Sequence, residues 1–390
     1  MNEHTTFRLI SVLVLLLTLG MHVLAWRMLR EVLGTDATRR RSALLGVFVL
    51  MSTVAVYIAL FSGYPLPPGV AKTAIWVFML WSLLLALGMG MLWLHRRRLR
   101  SLEQPTVDEK RRELLLTGAS GLTILTFGGA VFDVSSEEDV EVVYKSIAIR
   151  RLPAKLHGLR IGMISDIHSG PFMEKKDIDR YVTRLNALNT DVILLPGDFI
   201  QNRNEEADPL CESLKVLRAP YGVYGSTGNH EFFADADQVS RELGNAGIIM
   251  LRNEHRIIDP HGEKLALIGL DDVRSGHPFP ALFRKAARGL DPAIPNITLC
   301  HKPYYIEEAA EYGLDLMVSG HTHGGQIVLA RLFGAVLTPA SLISGYIEGL
   351  YSLDATQMYI TRGVGMTGLP IRVNCPPEIT VITLVKAGAD

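Results

Sequence analysis

Gly320-His321-Thr322-His323-Gly324-Gly325-Gln326 follows the apolar run Leu314–Ser319. Two residues apart on an extended chain, His321 and His323 share a face and can reach one ion. Glycines on both sides let the backbone turn where a Cβ would clash. Working outward, four more polar clusters each close a short apolar run. Ser165-Asp166-Ile167-His168 follows Leu159–Ser165, and Pro196-Gly197-Asp198 follows Val192–Leu195. Gly228-Asn229-His230-Glu231 follows Gly222–Ser226, and Cys300-His301 closes Ile297–Cys300. Further β-rich runs are Leu265–Leu270, Gln326–Ala330 and Ile379–Val385. Helical spacing appears in Lys175–Leu188, Glu205–Leu217, Asp237–Ala246 and Tyr304–Tyr312. Short continuous apolar runs read as strands buried on both faces, and their alternation with helices predicts a layered α/β domain. In such domains the carboxyl ends of the strands form the ligand crevice. The five clusters therefore read as one assembled site.

Asp, His and an Asn amide oxygen are ligands suited to Mn, Fe or Zn. Asp166-x-His168 repeats the geometry of His321-x-His323. Five of the twelve histidines fall at these strand ends. The three cysteines, Cys211, Cys300 and Cys375, contain no C-x-x-C pair, which excludes a thiolate zinc site and a disulfide framework. No Ser-His-Asp or Cys-His nucleophile arrangement is evident.

The 390 residues carry 39 basic and 40 acidic side chains, and 48% of them are apolar. That balance excludes a disordered chain and a basic nucleic-acid coat. The apolar residues are concentrated early, in Phe7–Trp26, Ala43–Phe61, Ala74–Leu94 and Leu114–Val134. Each has the length of a bilayer-spanning helix and almost no polar face. Residues 1–134 therefore read as a multispan α-helical membrane region with helices at about 7–26, 43–61, 74–94 and 114–134. The links after the first and third segments are rich in arginine (Arg27, Arg30, Arg39–Arg41; Arg96–Arg98, Arg100, Arg111, Arg112), which places them in the cytoplasm. The chain then leaves the cytoplasm after the fourth segment, in the cell (inner) membrane, and everything from Ser135 is extracytoplasmic. Lys110-Arg111-Arg112 before the fourth segment also looks like an internal twin-arginine export signal, and a segment lying flat would leave the large domain cytoplasmic. Residues 135–151 read as a linker and first strand, and 152–390 as the catalytic domain. Up to residue 134 there are 14 basic and 8 acidic residues, net +6; beyond it there are 25 and 32, net −7. An acidic domain makes nucleic acid an unlikely partner.

D-x-H, G-D, G-N-H-E, H and G-H-x-H in that order resemble the calcineurin-like metallophosphoesterases. The resemblance runs from about Leu152 to Val385 and looks closest to membrane-anchored or exported bacterial phosphodiesterases. Multispan relatives described as transmembrane proteins with a metallophosphoesterase domain share the arrangement. It implies a layered α-β-β-α sandwich holding two divalent metal ions. Asp166, His168 and His323 would hold the first, Asn229, His301 and His321 the second, and Asp198 would bridge them. His230 would protonate the leaving oxygen or stabilise the phosphoryl charge. The second motif departs from the family, with Gln201 where an Asp or Asn often stands (G-D-x-x-D or N). The ions bring four positive charges against Asp166 and Asp198, so the site attracts phosphate. Coordination lowers the pKa of water toward ~7, and paired ions stabilise both oxygens of an in-line displacement.

The expectation is a membrane-anchored phosphoesterase acting on a small phosphorylated or lipid substrate at the lipid bilayer. A non-catalytic phospho-ligand sensor is the rival from another class. Asp271-Asp272 could steady a ligand histidine or form a turn. Gln326 would support the site through hydrogen bonds. The other histidines beyond residue 134, His157, His255, His261 and His277, read as surface or loop residues, and Leu332–Tyr351 as a packed or substrate-facing loop.

Overall fold

The computed structural model describes residues 134–135, 140–273, 276–332, 335–342, 344–368 and 371–388, and among these sixteen strands and five helices follow in chain order. The strands are β1 (Val134–Ser135), β2 (Glu141–Ile149), β3 (Arg160–Met163), β4 (Val192–Pro196), β5 (Val223–Ser226), β6 (Ile249–Met250), β7 (Glu254–Ile258) and β8 (Leu265–Gly269). They continue with β9 (Asn296–Leu299), β10 (Leu316–Ser319), β11 (Ala330–Leu332), β12 (Ala335–Leu337), β13 (Gly349–Leu353), β14 (Thr356–Ile360), β15 (Arg372–Val373) and β16 (Glu378–Lys386). The helices are α1 (Lys175–Ala187), α2 (Ala207–Leu214), α3 (Ala236–Asn245), α4 (Phe279–Ala286) and α5 (Ile306–Glu311).

Two six-stranded sheets form the body, in the orders β2-β16-β3-β4-β5-β6 and β13-β14-β10-β9-β8-β7. Alternation along each strand explains why they stack. In β4, Val192 and Leu194 enter the core between the sheets, whereas Ile193 and Leu195 enter the layer with α1, α2 and α3. In β10, Leu316 and Val318 face the inter-sheet core and Met317 the layer under α4 and α5. Both faces of the central strands of both sheets are thus covered, which fits their nearly continuous apolar runs, while the edge strands β2 and β7 keep one face exposed. The result is the α-β-β-α sandwich expected from the resemblance.

β3, β4 and β5 run parallel, as do β8, β9, β10 and β14. Their carboxyl ends open on one edge, where every polar cluster lies. Arg160 to Met163, not the full Leu159–Ser165 run, pairs in the ladder, because Ile164 and Ser165 already lead into the Asp166 turn. The expected strand Gln326–Ala330 is corrected: the ladder begins at Ala330, and Ile327 makes only an isolated bridge to Val373. Leu332–Tyr351 is not one loop but holds the β11–β12 hairpin, a 3-10 turn and the start of β13.

No helix among the described residues is long and apolar enough to cross a membrane. The four expected spans lie outside the described residues, apart from Val134 at the end of the last. The described part belongs to a unit running Asp133–Asp390.

The inter-sheet core should dominate stability. Leu194, fully buried, leaves a cavity when cut to Ala; the expected loss is about 2–5 kcal/mol. Tyr144→Ala, on the exposed face of β2, should stay within about 0.5 kcal/mol. Thermal unfolding of the detergent-solubilised chain compares the two.

Candidate metal centre

Each turn after a parallel strand delivers one or two side chains to the edge. Asp166 and His168 come from the turn after β3, Asp198 from that after β4, and Asn229 and His230 from that after β5. The second sheet supplies His301 after β9 and His321 and His323 after β10. All eight residues expected at the site meet there. Asp166, His168, Asp198, Asn229, His301 and His323 are buried; His230 and His321 are half-buried and open the site to solvent.

The ligand atoms form overlapping groups, each within 4.8 Å: Asp166, His168 and His323; His168, Asp198 and His230; Asp198, His301 and His321. His168 Nε2 and His323 Nε2 face each other at 3.1 Å, with Asp166 Oδ1 3.5 Å from the latter. Asp198 Oδ2 lies 3.6 Å from His168 Nε2 and 3.0 Å from His301 Nε2. It therefore stands between the two outer groups, where a carboxylate can serve both.

Electrostatics follow from this crowding. Burial opposes charge on Asp198, yet His301 and His230 hold its carboxyl well below the usual carboxylate range. Burial also opposes charge on His301, but Asp198 overcomes it and pushes the imidazole up to about 10. Burial and His230 hold His168 well below the ordinary imidazole value, and burial with His301 does the same for His321. Burial, opposed by Asp166, brings His323 down to about 4.

The backbone is as unusual as the charges. Asp166 (φ 53°), His168 (50°), Asp198 (54°), His321 (73°) and His323 (52°) all adopt left-handed φ. Such conformations are uncommon for residues with a Cβ and cost of order 1–3 kcal/mol each. Glycines were expected to absorb the turning, but the ligands themselves carry much of it. Gly228 and Gly320 serve close approach instead. A Cβ on Gly228 would lie 2.2 Å from Asp198 Oδ1, and one on Gly320 2.1 Å from Asp166 Oδ2.

Two groups that sequence reading did not assign hold these turns. The buried Glu231 carboxylate accepts from the backbone N–H of Asp198, Phe199, Ile200 and Gly228, joining the turns after β4 and β5. Burial and neighbouring Asp198 push its carboxyl up to about 7. Buried Arg372 donates to the carbonyls of Arg362, Gly363, Gly365 and Cys375. That fastens the turn after β14, whose Val364 and Gly365 N–H groups bond to Ser165 and Asp166 carbonyls. Glu231 stood in the quoted G-N-H-E cluster, but Arg372 lies in no motif, and only the structure connects it to the site.

Other expectations resolve simply. His230 Nδ1 bonds to the backbone carbonyl of Gln201, so the unusual side chain there does not decide that contact. Gln326 exchanges hydrogen bonds with the Thr367 backbone, tying the turn after β10 to the segment after β14. Asp271 steadies no histidine: it accepts from Thr227 Oγ1 and pairs with Arg252, while Asp272 pairs with Lys302. His157, His261 and His277 are exposed, and His255 is half-buried far along the chain from any ligand turn.

Replacing Glu231 by Ala strands four buried N–H groups. The expected result is a loss of about 3 kcal/mol in thermal stability together with loss of bound divalent metal, read by elemental analysis.

Comparison with known proteins gives the arrangement a family. Residues 159–325 match the model of the calcineurin-like phosphoesterases. The chain is 31% identical over 304 residues to a transmembrane protein with metallophosphoesterase domain from Danio rerio, an alignment spanning 74% of this chain and 67% of the relative. It is also 31% identical over 282 residues to the uncharacterized metallophosphoesterase YkuE of Bacillus subtilis (strain 168), spanning 70% of this chain and 97% of that one. With its Asp and His clusters gathered at one sheet edge, the chain belongs to the calcineurin-like phosphoesterase family of metal-dependent phosphoesterases.

Proposed function

We propose that this protein is a membrane-anchored, dinuclear metal phosphoesterase that hydrolyses phosphodiester or pyrophosphate bonds in a small phosphorylated or lipid substrate. The observation that carries the reading is Asp198, set between a Asp166/His168/His323 group and a His301/His321 group.

The donors fit divalent ions. Asp166 Oδ2, Asn229 Oδ1 and His301 Nε2 are buried atoms without a hydrogen-bond partner. Buried polar atoms are rarely left so, unless an ion or water claims them. His301 shows the logic best. Its Nδ1 lies 2.8 Å from the Pro196 carbonyl, an acceptor only, so Nδ1 carries the proton. Nε2 then points its lone pair at Asp198, and a second proton or a cation belongs between them. A backbone carbonyl on one ring nitrogen is the usual way to aim the other at a metal.

Asp166, His168 and His323 would hold one ion, Asn229, His301 and His321 the other, with Asp198 shared. The ions, of Mn, Fe or Zn type, would supply Lewis-acid charge and a water acidified toward neutrality. The chain's own residues do the rest. Asp166 and Asp198 are the only anionic donors, so the loaded site keeps net positive charge and draws in phosphate. His230 uses Nδ1–H on the Gln201 carbonyl to fix its ring, edge-on to His168 at 4.4 Å. Its other nitrogen is left to carry a proton to the leaving oxygen, the work of a general acid.

Membrane anchoring draws on the four apolar segments and on relatives named transmembrane proteins. Arginine placement favours an extracytoplasmic catalytic domain in the inner membrane.

Two experiments test the reading. Hydrolysis of bis(p-nitrophenyl) phosphate with added manganese should stop on chelation. His230→Ala should keep its metal and lose about 10²–10⁴ in kcat, whereas Asp198→Ala should lose both metal and turnover. Equal slow rates in wild type and both variants would refute the enzyme reading. A carboxyl-terminal alkaline phosphatase fusion should be active and a fluorescent-protein fusion of the cytoplasmic type dark; the reverse pattern overturns the sidedness.

A further inference from the structure

We propose that the β11–β12 hairpin is a bilayer-docking element that seats the metal centre against the membrane; this rests on the anchoring reading above. β11 and β12 pair with each other and with no other described strand. The run Val328-Leu329-Ala330-Arg331-Leu332-Phe333-Gly334-Ala335-Val336-Leu337 holds a single charge. That charge, though exposed, is paired: Arg331 bonds to Glu348 at 2.9 Å and donates to the Asn374 carbonyl. Surface hairpins are ordinarily polar. Here Leu329 is 51% and Leu337 52% exposed.

The roots of the hairpin say what covers it. Val134, the last residue of the apolar stretch Leu114–Val134, pairs with Val373. Val373 also bridges Ile327 and accepts from the Val328 N–H at 2.9 Å. A chain leaving a bilayer at Val134 therefore emerges next to the hairpin root, with strand spacings of only ~5 Å between neighbours. Each arm of the hairpin has three paired residues, a reach of about 10 Å, which matches the ~5–10 Å depth of the interfacial layer. Charge points the same way. No acidic residue occurs between Gln326 and Glu348, in a region of the chain whose net charge is −7 beyond residue 134. An acid-free apolar projection suits an anionic lipid surface where the rest of the domain does not.

The other root is tied to the metal centre. Thr338 Oγ1 donates to the Gly325 carbonyl at 2.9 Å, directly after β12, and Gly325 closes the turn that carries His321 and His323. Docking the hairpin thus fixes the height of that turn relative to the lipid headgroups.

The test uses the full chain reconstituted in phosphatidylethanolamine/phosphatidylglycerol vesicles, with Cys211→Ser and one new cysteine bearing a nitrobenzoxadiazole label. At Leu337→Cys the label should shift to the blue and lose more than about half its emission to nitroxide-bearing lipid chains. At Val216→Cys, exposed beyond the end of α2, it should do neither. Adding Leu329→Asp to Leu337→Cys should remove the quenching while bis(p-nitrophenyl) phosphate turnover, read on the same sample, shows the fold intact. Identical spectra at positions 337 and 216 in a chain that resists carbonate extraction overturn the docking and leave the anchoring standing. Energy transfer between differently labelled copies at high dilution in lipid overturns it in favour of a second copy. Release of the chain by carbonate overturns the anchoring and the docking together.

Discussion

Asp166 and Asp198 are the carboxylates through which the two sheets meet, and the site exists only because that meeting is held in register. Both belong to the first sheet. Asp166 Oδ1 accepts from the His321 N–H at 2.8 Å, across from the second sheet. Asp198 Oδ2 reaches His301 at 3.0 Å, again across the divide. A slide of either sheet by one residue would separate every such pair. Register is set by the inter-sheet core, where Leu194, Leu267, Leu299 and Val318 are fully buried. Apolar packing with no polar atoms thus positions the most polar part of the molecule.

Holding the ligands costs conformational energy. Five of them sit at left-handed φ, and at about 1–3 kcal/mol each the total is comparable with the whole stability of a domain. Such strain persists only where surroundings over-determine it. Glu231 supplies part of the restraint by gathering four N–H groups from two turns, and Arg372 supplies more by gathering carbonyls from a third. Their burial is the physical reason they can act: a carboxylate or guanidinium away from water holds its hydrogen bonds more tightly than an exposed one.

The five motifs were legible because their chemistry is concentrated at strand ends. The two-residue spacing misled in one respect: Asp166, His168, His321 and His323 sit at left-handed φ rather than on extended chain, and His321 joins Asp198 and His301 while His323 joins Asp166 and His168. The sandwich was legible from continuous apolar runs alternating with helical spacing. β7, β13, β14 and α4 were not. Glu254–Ile258 is an edge strand with Glu254, Arg256 and Ile257 exposed, so it lacks a buried run. Thr356–Ile360 is buried but begins Thr-Gln and turns back on β13 through Asp354 at φ 53°, with no glycine to mark the hairpin. Phe279–Ala286 is only eight residues and contains Pro280 in its first turn. The ligand strain was invisible for a different reason: which residue of a turn takes positive φ depends on tertiary contact, and glycine was the only local signal available. Arg372 reads in sequence as one more surface cation, since nothing local says it will be enclosed.

The charge layout also has a consequence for what can approach. Beyond residue 134 the chain carries net −7, yet its metal-binding edge gathers ligands with only two carboxylates. A long polyanion lies along tens of ångströms of surface and meets the acidic exterior as well as the site. A single phosphate group samples only the last few ångströms. At physiological salt, charges more than about 8 Å away are largely screened from it. The buried site is shielded less than the exterior, because low-dielectric walls hold its field in. Under the proposed function, this contrast by itself favours a compact phosphoryl group over a polymer.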